Sequence, residues 1–346
     1  MNLLYEYGLF LAEAATVVVA ILLVAAGLFA LGQRGRQSDS GHIEIRKLND
    51  QYRDFRHNMQ RVLLEEGELK RLDKEERKAK KAEKKSRKQS SDNPERLRLY
   101  VLNFHGDIRA SETDNLREEI SAVLDVTRSG DEVLVKLESG GGMVHSYGLA
   151  ASQLQRVRDA GIKLTIAVDK VAASGGYMMA CVANHILAAP FAIIGSIGVL
   201  MQLPNFNRLL KRADIEFEQV TAGEYKRTLT MFGENTDEDR EKVQEDIDDT
   251  HALFKEFVSE RREQVDIESV ATGEIWFGKR ALDKGLVDEL QTSDAYVQNC
   301  LAERDVFEVK YVHKKHWQER LGLAMEGAVE RGVLKLWHAG TRRREI

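Results

Sequence analysis

The sequence predicts an α/β protein built on parallel strands, preceded by a membrane-spanning helix and a helical stalk. Three observations carry this reading. Between residues 96 and 295, short apolar runs alternate with helical periodicities, the pattern of βαβ units joined by right-handed crossovers. Residues 14–32 form an uncharged, apolar run of 19 residues, and a helix of that length rises about 28 Å, enough to cross the hydrocarbon core. Between these two regions lies a proline-free, charged stretch with a heptad seam. A chain of 346 residues exceeds one ordinary compact domain, so a catalytic-sized domain with appendages is expected. The boundaries read as an anchor at 1–33, a stalk and linker at 34–95, the α/β domain at 96–295, and a C-terminal amphipathic helix with a basic tail at 296–346.

The anchor reads as uncleaved and single-pass. A signal peptide opens on basic residues, whereas Met1–Glu13 holds Glu6 and Glu13 and no Lys or Arg, although Ala30-Leu31-Gly32 has the small residues of a cleavage site. Arg34, Arg36, Arg46 and Lys47 follow it, which by the positive-inside rule places the body of the protein in the cytoplasm. From Ile45 to Lys88 the pattern is a long helix: Leu48, Tyr52, Phe55, Met59 and Val62 recur at heptad spacing until Gly67 interrupts the seam. A coiled-coil stalk that assembles several copies and an amphipathic helix lying on its own catalytic domain both fit this pattern. Net charge is −5, yet Lys70–Lys88 holds eleven basic residues against four acidic ones. That block reads as a solvated face or as a contact with anionic lipid headgroups. Without aromatic interleaving or a recognisable module it does not indicate nucleic acid as a partner. Gln89–Glu95 is a linker by composition.

Within the α/β region the expected strands are Arg98–Phe104, Glu132–Leu137 and Leu164–Val168, and the expected helices are Glu112–Asp125, Met143–Ala160 and Tyr177–Val182. Ligand sites in parallel sheets gather at the carboxyl ends of strands. Two junctions of that kind stand out. In Val168–Ala183 the small residues Ala172, Ala173, Ser174, Gly175 and Gly176 join a strand to a helix, placing the Ser174 hydroxyl beside the free amides of a first helical turn. In Leu137–Met143 a glycine run ends the preceding strand and opens the helix carrying His145 and Tyr147, leaving backbone amides unshielded. An acyl-transfer site needs a nucleophile and two N–H donors aimed at a carbonyl oxygen. The plainer alternatives are an N-cap serine and a loose turn. Other chemistries leave no trace: Cys181 and Cys300 suggest no disulfide framework, no His/Cys spacing suggests a metal, and no phosphate-binding glycine loop is present. No cofactor is expected.

Five motifs in order then carry a resemblance: S-x-G-G-M at 139–143, V-A-A-S-G-G-Y-M-M-A at 171–180, A-x-I-G-S-I-G-V at 192–199, T-A-G-E-Y-K-R-T at 221–228, and W-F-G-x-x-A-L-D-K-G-L-V-D-E-L at 276–290. Together they resemble the signal peptide peptidase A (protease IV) family of membrane-bound Ser/Lys proteases, over nearly the whole chain. The resemblance implies a ClpP/crotonase-like fold of stacked ββα units and a ring- or bowl-shaped homo-oligomer. By position it implies Ser174 as nucleophile, Lys226 as general base, Gly142 and Gly175 as oxyanion donors, and Ser196 as a hydroxyl orienting the lysine. One departure is visible: the family's S-P-G-G has Gly140 at the proline position, which loosens that loop. The resemblance also implies a catalytic domain outside the cytoplasm, against the charge pattern after the anchor.

A lysine base has to be neutral near pH 7, about 3 units below its usual 10.4. Arg227 cannot serve, since it does not deprotonate in proteins. Spacing alone does not choose Lys226 over Lys170; the resemblance does. His145 and His185 are the rival bases for a Ser–His arrangement. Farther on, Thr236–Val265 reads as an acidic helix with packing and oligomer surface, and Asp283, Lys284, Asp288 and Glu289 as structural residues. His316–His338 reads as an amphipathic helix whose tryptophans and basic residues suit a membrane interface or a neighbouring subunit. The expectation is a bacterial inner-membrane endopeptidase acting on extended peptides, such as cleaved signal peptides or membrane-protein fragments. Its partners are peptide or protein substrates, the lipid bilayer and other copies of the chain. A crotonase-like acyl-CoA enzyme and a catalytically idle membrane scaffold are the alternatives from other classes.

Overall fold

The computed structural model describes residues 41–89, 96–223 and 225–313, together with Thr16. Residues Ile43–Lys310 form one compact unit. The elements in chain order are β1 (His42–Lys47), α1 (Leu48–Leu63), α2 (Glu66–Gln89), β2 (Arg98–Gly106), α3 (Thr113–Leu124), β3 (Glu132–Ser139), α4 (Val144–Asp159), β4 (Lys163–Val168), β5 (Val171–Ala173) and α5 (Gly175–Ala180). There follow β6 (His185–Ala188), β7 (Ile193–Gly195), α6 (Asn207–Arg212), α7 (Asp237–Ser259), α8 (Ile267–Val270), β8 (Ile275–Phe277), α9 (Gly278–Asp283), β9 (Glu289–Leu290), α10 (Ser293–Cys300) and β10 (Asp305–Val312). The fold is mixed α/β, as the alternation of patterns predicts.

The main sheet runs β1-β10-β2-β3-β4-β6-β9, and β10, β2, β3, β4, β6 and β9 pair in parallel. Its strands read as unbroken apolar runs because both faces are buried. Val133, Val135 and Leu137 of β3 join the core beneath α3 and α4, while Leu134 joins a second cluster with Leu48, Leu99, Val101, Ala167 and Val297. At its carboxyl end β3 continues onto a side strip: Ser139 pairs with Ala172 of β5, β5 pairs with β7, and β7 pairs antiparallel with β8. This strip turns the chain so that two strand-to-helix junctions, β3→α4 and β5→α5, lie side by side.

The stalk differs from its sequence reading. Ile45–Lys47 belong to an edge strand rather than to a helix, because Asn49 fastens the chain there. Its amide donates to the Leu301 and Arg304 carbonyls and its oxygen accepts from the Val306 amide at 2.7 Å. The helix breaks at Leu64, which is extended at φ −107° and ψ 149°, and Gly67 lies inside the next helix. The heptad seam divides accordingly. Leu48 is buried and Tyr52 packs against the second core cluster. Phe55, Met59 and Val62 are exposed, Val62 by 85%. The first turns of α1 therefore dock on their own domain and the rest leave it. Among the described residues no helix is long and apolar enough to cross a membrane; apart from Thr16, the run at 14–32 lies outside them, as does the amphipathic stretch at 316–338.

A buried carboxylate ties α10 and the turn after it to the sheet. Glu132, 1% exposed, accepts from Thr165 Oγ1 at 2.6 Å and Tyr296 OH at 2.5 Å. Lys163 Nζ lies at 3.1 Å and an Arg304 guanidinium nitrogen at 3.2 Å. Burial pushes its pKa up, but the hydrogen bonds from Thr165 and Tyr296 and the charge of Lys163 outweigh that and hold it below the ordinary value. A depressed carboxylate stabilises the fold above its unfolded pKa, about 4.3, and that contribution fades as pH falls through the folded value. Glu132→Gln is expected to cost about 2 kcal/mol at pH 7, short of the full cost of breaking a buried pair because Lys163 is half exposed. Urea titrations at pH 7 and pH 3 check it: the gap between wild type and variant narrows at the lower pH.

Candidate active site

Ser174 stands between β5 and α5 in a backbone conformation that L-residues rarely adopt, φ 52° and ψ −119°. Such a residue costs on the order of 1–3 kcal/mol and persists where its surroundings over-determine it. Here they do. The Ser174 amide donates to the Gly195 carbonyl at 2.8 Å, and its carbonyl accepts from Met178 at 2.9 Å. The result is a sharp strand-to-helix turn that lifts the hydroxyl out of the sheet, the geometry of a nucleophile elbow. Gly175 opens α5, so its amide has no acceptor within the helix.

The glycine run lies against this turn. Gly141 has φ +89°, and a Cβ built there would stand 2.7 Å from both the Ser174 Cβ and the Gly175 amide. At Gly142 a Cβ would meet the Ile108 carbonyl oxygen at 2.1 Å, and at Gly175 the Tyr147 ring at 2.4 Å. Three glycines are thus required by close approach. Gly142, Ser174 and Gly175 line one narrow pocket with Met178, Val199, Thr250 and Phe254. Its volume, about 20 Å³, is little more than a water molecule needs. The wall from α7, Thr250 and Phe254, has no counterpart in the sequence reading, where that helix is packing surface.

The other sequence-designated residues are placed differently. Ser196, half-buried, follows Gly195, the partner of Ala173 in the β5–β7 ladder, and its amide donates to the Glu274 carbonyl at 2.7 Å. Lys226 is exposed and does not line the pocket. Its neighbour Tyr225 lies under Lys242 Nζ, 5.4 Å from the ring centre. Lys242 precedes Thr250 by two turns of α7, about 12 Å at 1.5 Å per residue. The structure therefore brings Ser174, Gly175 and Gly142 together and leaves Lys226 outside the pocket lining. The segment from Leu200 to Val220 is unusually apolar at its surface: Leu200, Met201, Phe206, Leu209, Ile215 and Val220 are all exposed, Val220 by 97%. Of the rival bases, Lys170 pairs with Glu138 at 3.0 Å. His185 faces Glu289 at 3.2 Å and Asp288 at 3.9 Å, and His145 is exposed and off the pocket. Cys181 is fully buried, and burial pushes its thiol up to about 12, as suits an inert packing residue.

Comparison with known proteins gives a consistent result. Residues 2–154 match the family description "Peptidase family S49 N-terminal" and residues 156–306 match "Peptidase family S49". The chain is 49% identical over 331 residues to the "Probable protease SohB" of Haemophilus influenzae, covering 94% of each chain. It is 45% identical to the protein of the same name from Buchnera aphidicola subsp. Acyrthosiphon pisum, covering 97% of this chain and 98% of that one. Among solved structures, a membrane-bound stomatin-specific protease in complex with a substrate peptide aligns at a TM-score of 0.41 and 12% identity, over 67% of this chain and 99% of that one.

Proposed function

Because the chain belongs to peptidase family S49 and is a protease on that ground, we propose that it is a serine endopeptidase of the ClpP/crotonase-like fold, working through Ser174 and Lys226. The observation that carries this reading is the strained turn at Ser174, with Gly142 and Gly175 on the same pocket. Ser174 Oγ attacks the peptide carbonyl carbon while neutral Lys226 takes its proton. The Gly142 and Gly175 amides hold the oxyanion, and the lysine returns the proton to the leaving amine. Water, deprotonated by the same lysine, then cleaves the acyl-enzyme. Ser196 orients the lysine. Substrates are extended peptides, including signal peptides and membrane-protein fragments, and the chain acts from the bacterial inner membrane through its single N-terminal anchor.

The catalytic constellation closes on assembly. The exposed apolar segment from Leu200 to Val220 and the partly unpartnered seam of α1 support a homo-oligomeric ring or bowl. Burying that surface carries the Lys226 segment to Ser174 and desolvates the amine. The test is labelling with a fluorophosphonate, which acylates an activated serine. The detergent-solubilised full chain takes one label per site, mapped to Ser174, and Ser174→Ala takes none. An unlabelled wild type that also leaves casein intact between about pH 7 and 9 removes the peptidase mechanism in favour of an idle scaffold.

A further inference from the structure

Resting on the peptidase reading above, we propose that Tyr147 is a positioning residue that holds the glycine loop 140–142 in register with Ser174 through a directed chain of hydrogen bonds. Tyr147 is on the first turn of α4 and fully buried. Its hydroxyl donates to the Asp107 carbonyl at 2.7 Å and lies 2.6 Å from Ser139 Oγ. A phenol has one proton and a carbonyl can only accept, so Ser139 donates to Tyr147. The Ser139 oxygen in turn accepts from the Gly141 amide at 3.0 Å. The order is therefore fixed: Gly141 N–H to Ser139, Ser139 O–H to Tyr147, Tyr147 O–H to Asp107. Burial pushes the Tyr147 phenol up against the opposing hydrogen bond from Ser139, so the last donor keeps its proton throughout the working range.

Both ends of the glycine loop connect to this hydroxyl, although the turn at Asp107 is also closed by the Ala110 amide on its carbonyl and by the Arg109 and Ser111 amides on its carboxylate. At one end, the Gly141 amide is held through Ser139. At the other, the Met143 amide donates to the Ile108 carbonyl at 2.8 Å, and the turn carrying Ile108 is pinned through Asp107. The tyrosine ring also backs Gly175, leaving no room for a side chain there. Gly106 completes the device, since a Cβ at that position would lie 2.4 Å from both Ser139 Oγ and Tyr147 OH. Three consecutive glycines have no side chains to fix them, and Gly140 stands in open space where a proline would stiffen the loop. The hydroxyl chain supplies the missing constraint, and a displacement near 1 Å of an oxyanion donor is worth about 100-fold in rate.

Tyr147→Phe keeps the ring and removes the last link. Its kcat on a peptide substrate is expected to fall about 100-fold with KM within threefold. Labelling by the fluorophosphonate slows in proportion. Ser139→Ala, which leaves the tyrosine packing intact, should lower kcat at least tenfold, and the double variant should fall within threefold of Tyr147→Phe, because linked groups act as one unit. Thermal unfolding establishes that each variant is folded; if Tyr147→Phe is not, Ser139→Ala decides. A folded variant with kcat within threefold of wild type, or a loss carried by KM, overturns the proposal. Ser174→Ala in parallel separates the two readings. Continued turnover by that variant removes the peptidase mechanism, whereas its silence beside a fully active Tyr147→Phe removes only the positioning role.

Discussion

Lys226→Ala lowers kcat for a casein-derived peptide by about 10³-fold or more, and Ser174→Ala by at least as much, with the double variant no worse than Ser174→Ala alone. A positioned general base contributes 10²–10⁴-fold, and residues acting on one proton transfer are not additive. Arg227 cannot substitute, since it does not deprotonate, and Lys170 is engaged by Glu138 at 3.0 Å. Because Lys226 is exposed and off the pocket, the proposed closure of the site on assembly predicts that activity per chain falls on dilution. Lys226→Ala turning over within tenfold of wild type rules out the lysine as base, whatever becomes of the serine.

Much of this arrangement is legible in the residues because parallel strands buried on both faces have a distinct composition. Expected strands at Arg98–Phe104 and Glu132–Leu137 become Arg98–Gly106 and Glu132–Ser139, differing only where the chain starts to turn toward the site. The turn at Ser174 is suggested by the small residues around it, which suit an N-cap serine equally well, and its reading as nucleophile comes from the family resemblance. Other features give no local signal. Three-residue strands such as β5, β7 and β8 are too short to show a period. β1 is hidden because Ile45–Lys47 continue a pattern that also suits a helix, and a contact with Leu301 and Arg304 far along the chain decides the matter. Thr250 and Phe254 reach the pocket from a helix whose composition speaks only of acid and packing. Tyr147 is a single tyrosine on a helix, indistinguishable from core until Asp107, Ser139 and Gly141 are seen around it. Lys226 is the extreme case: its segment carries apolar residues that its own chain does not cover.

Arg262→Ala is expected to destabilise the fold by about 3 kcal/mol, read as a lowered urea midpoint with an unchanged slope. Arg262, 3% exposed, clasps Asp288 with two nitrogens at 2.9 and 2.8 Å and donates to the Gly285 carbonyl at 2.8 Å. Removing it strands the Asp288 carboxylate with the Ile186 amide, at 2.7 Å, and His185 nearby. Losing one partner of a buried pair costs about 3–5 kcal/mol, and the lower end applies because Asp288 remains 24% exposed. Arg262→Lys keeps the charge and loses the fork, so it recovers less than half. The effect reaches α5, since Tyr177 OH donates to the Leu286 carbonyl at 2.9 Å, inside the loop that the clasp secures. The pH dependence follows with a definite sign. Burial raises the Asp288 pKa, but the hydrogen bonds from Arg262 and the Ile186 amide, with the Arg262 charge, outweigh it and hold the carboxyl below its usual range. This contribution is therefore full above about pH 4 and lost as pH falls through the folded value, so wild type and Arg262→Ala converge in acid. A midpoint shift equivalent to less than about 1 kcal/mol, or Arg262→Lys indistinguishable from wild type, contradicts the clasp.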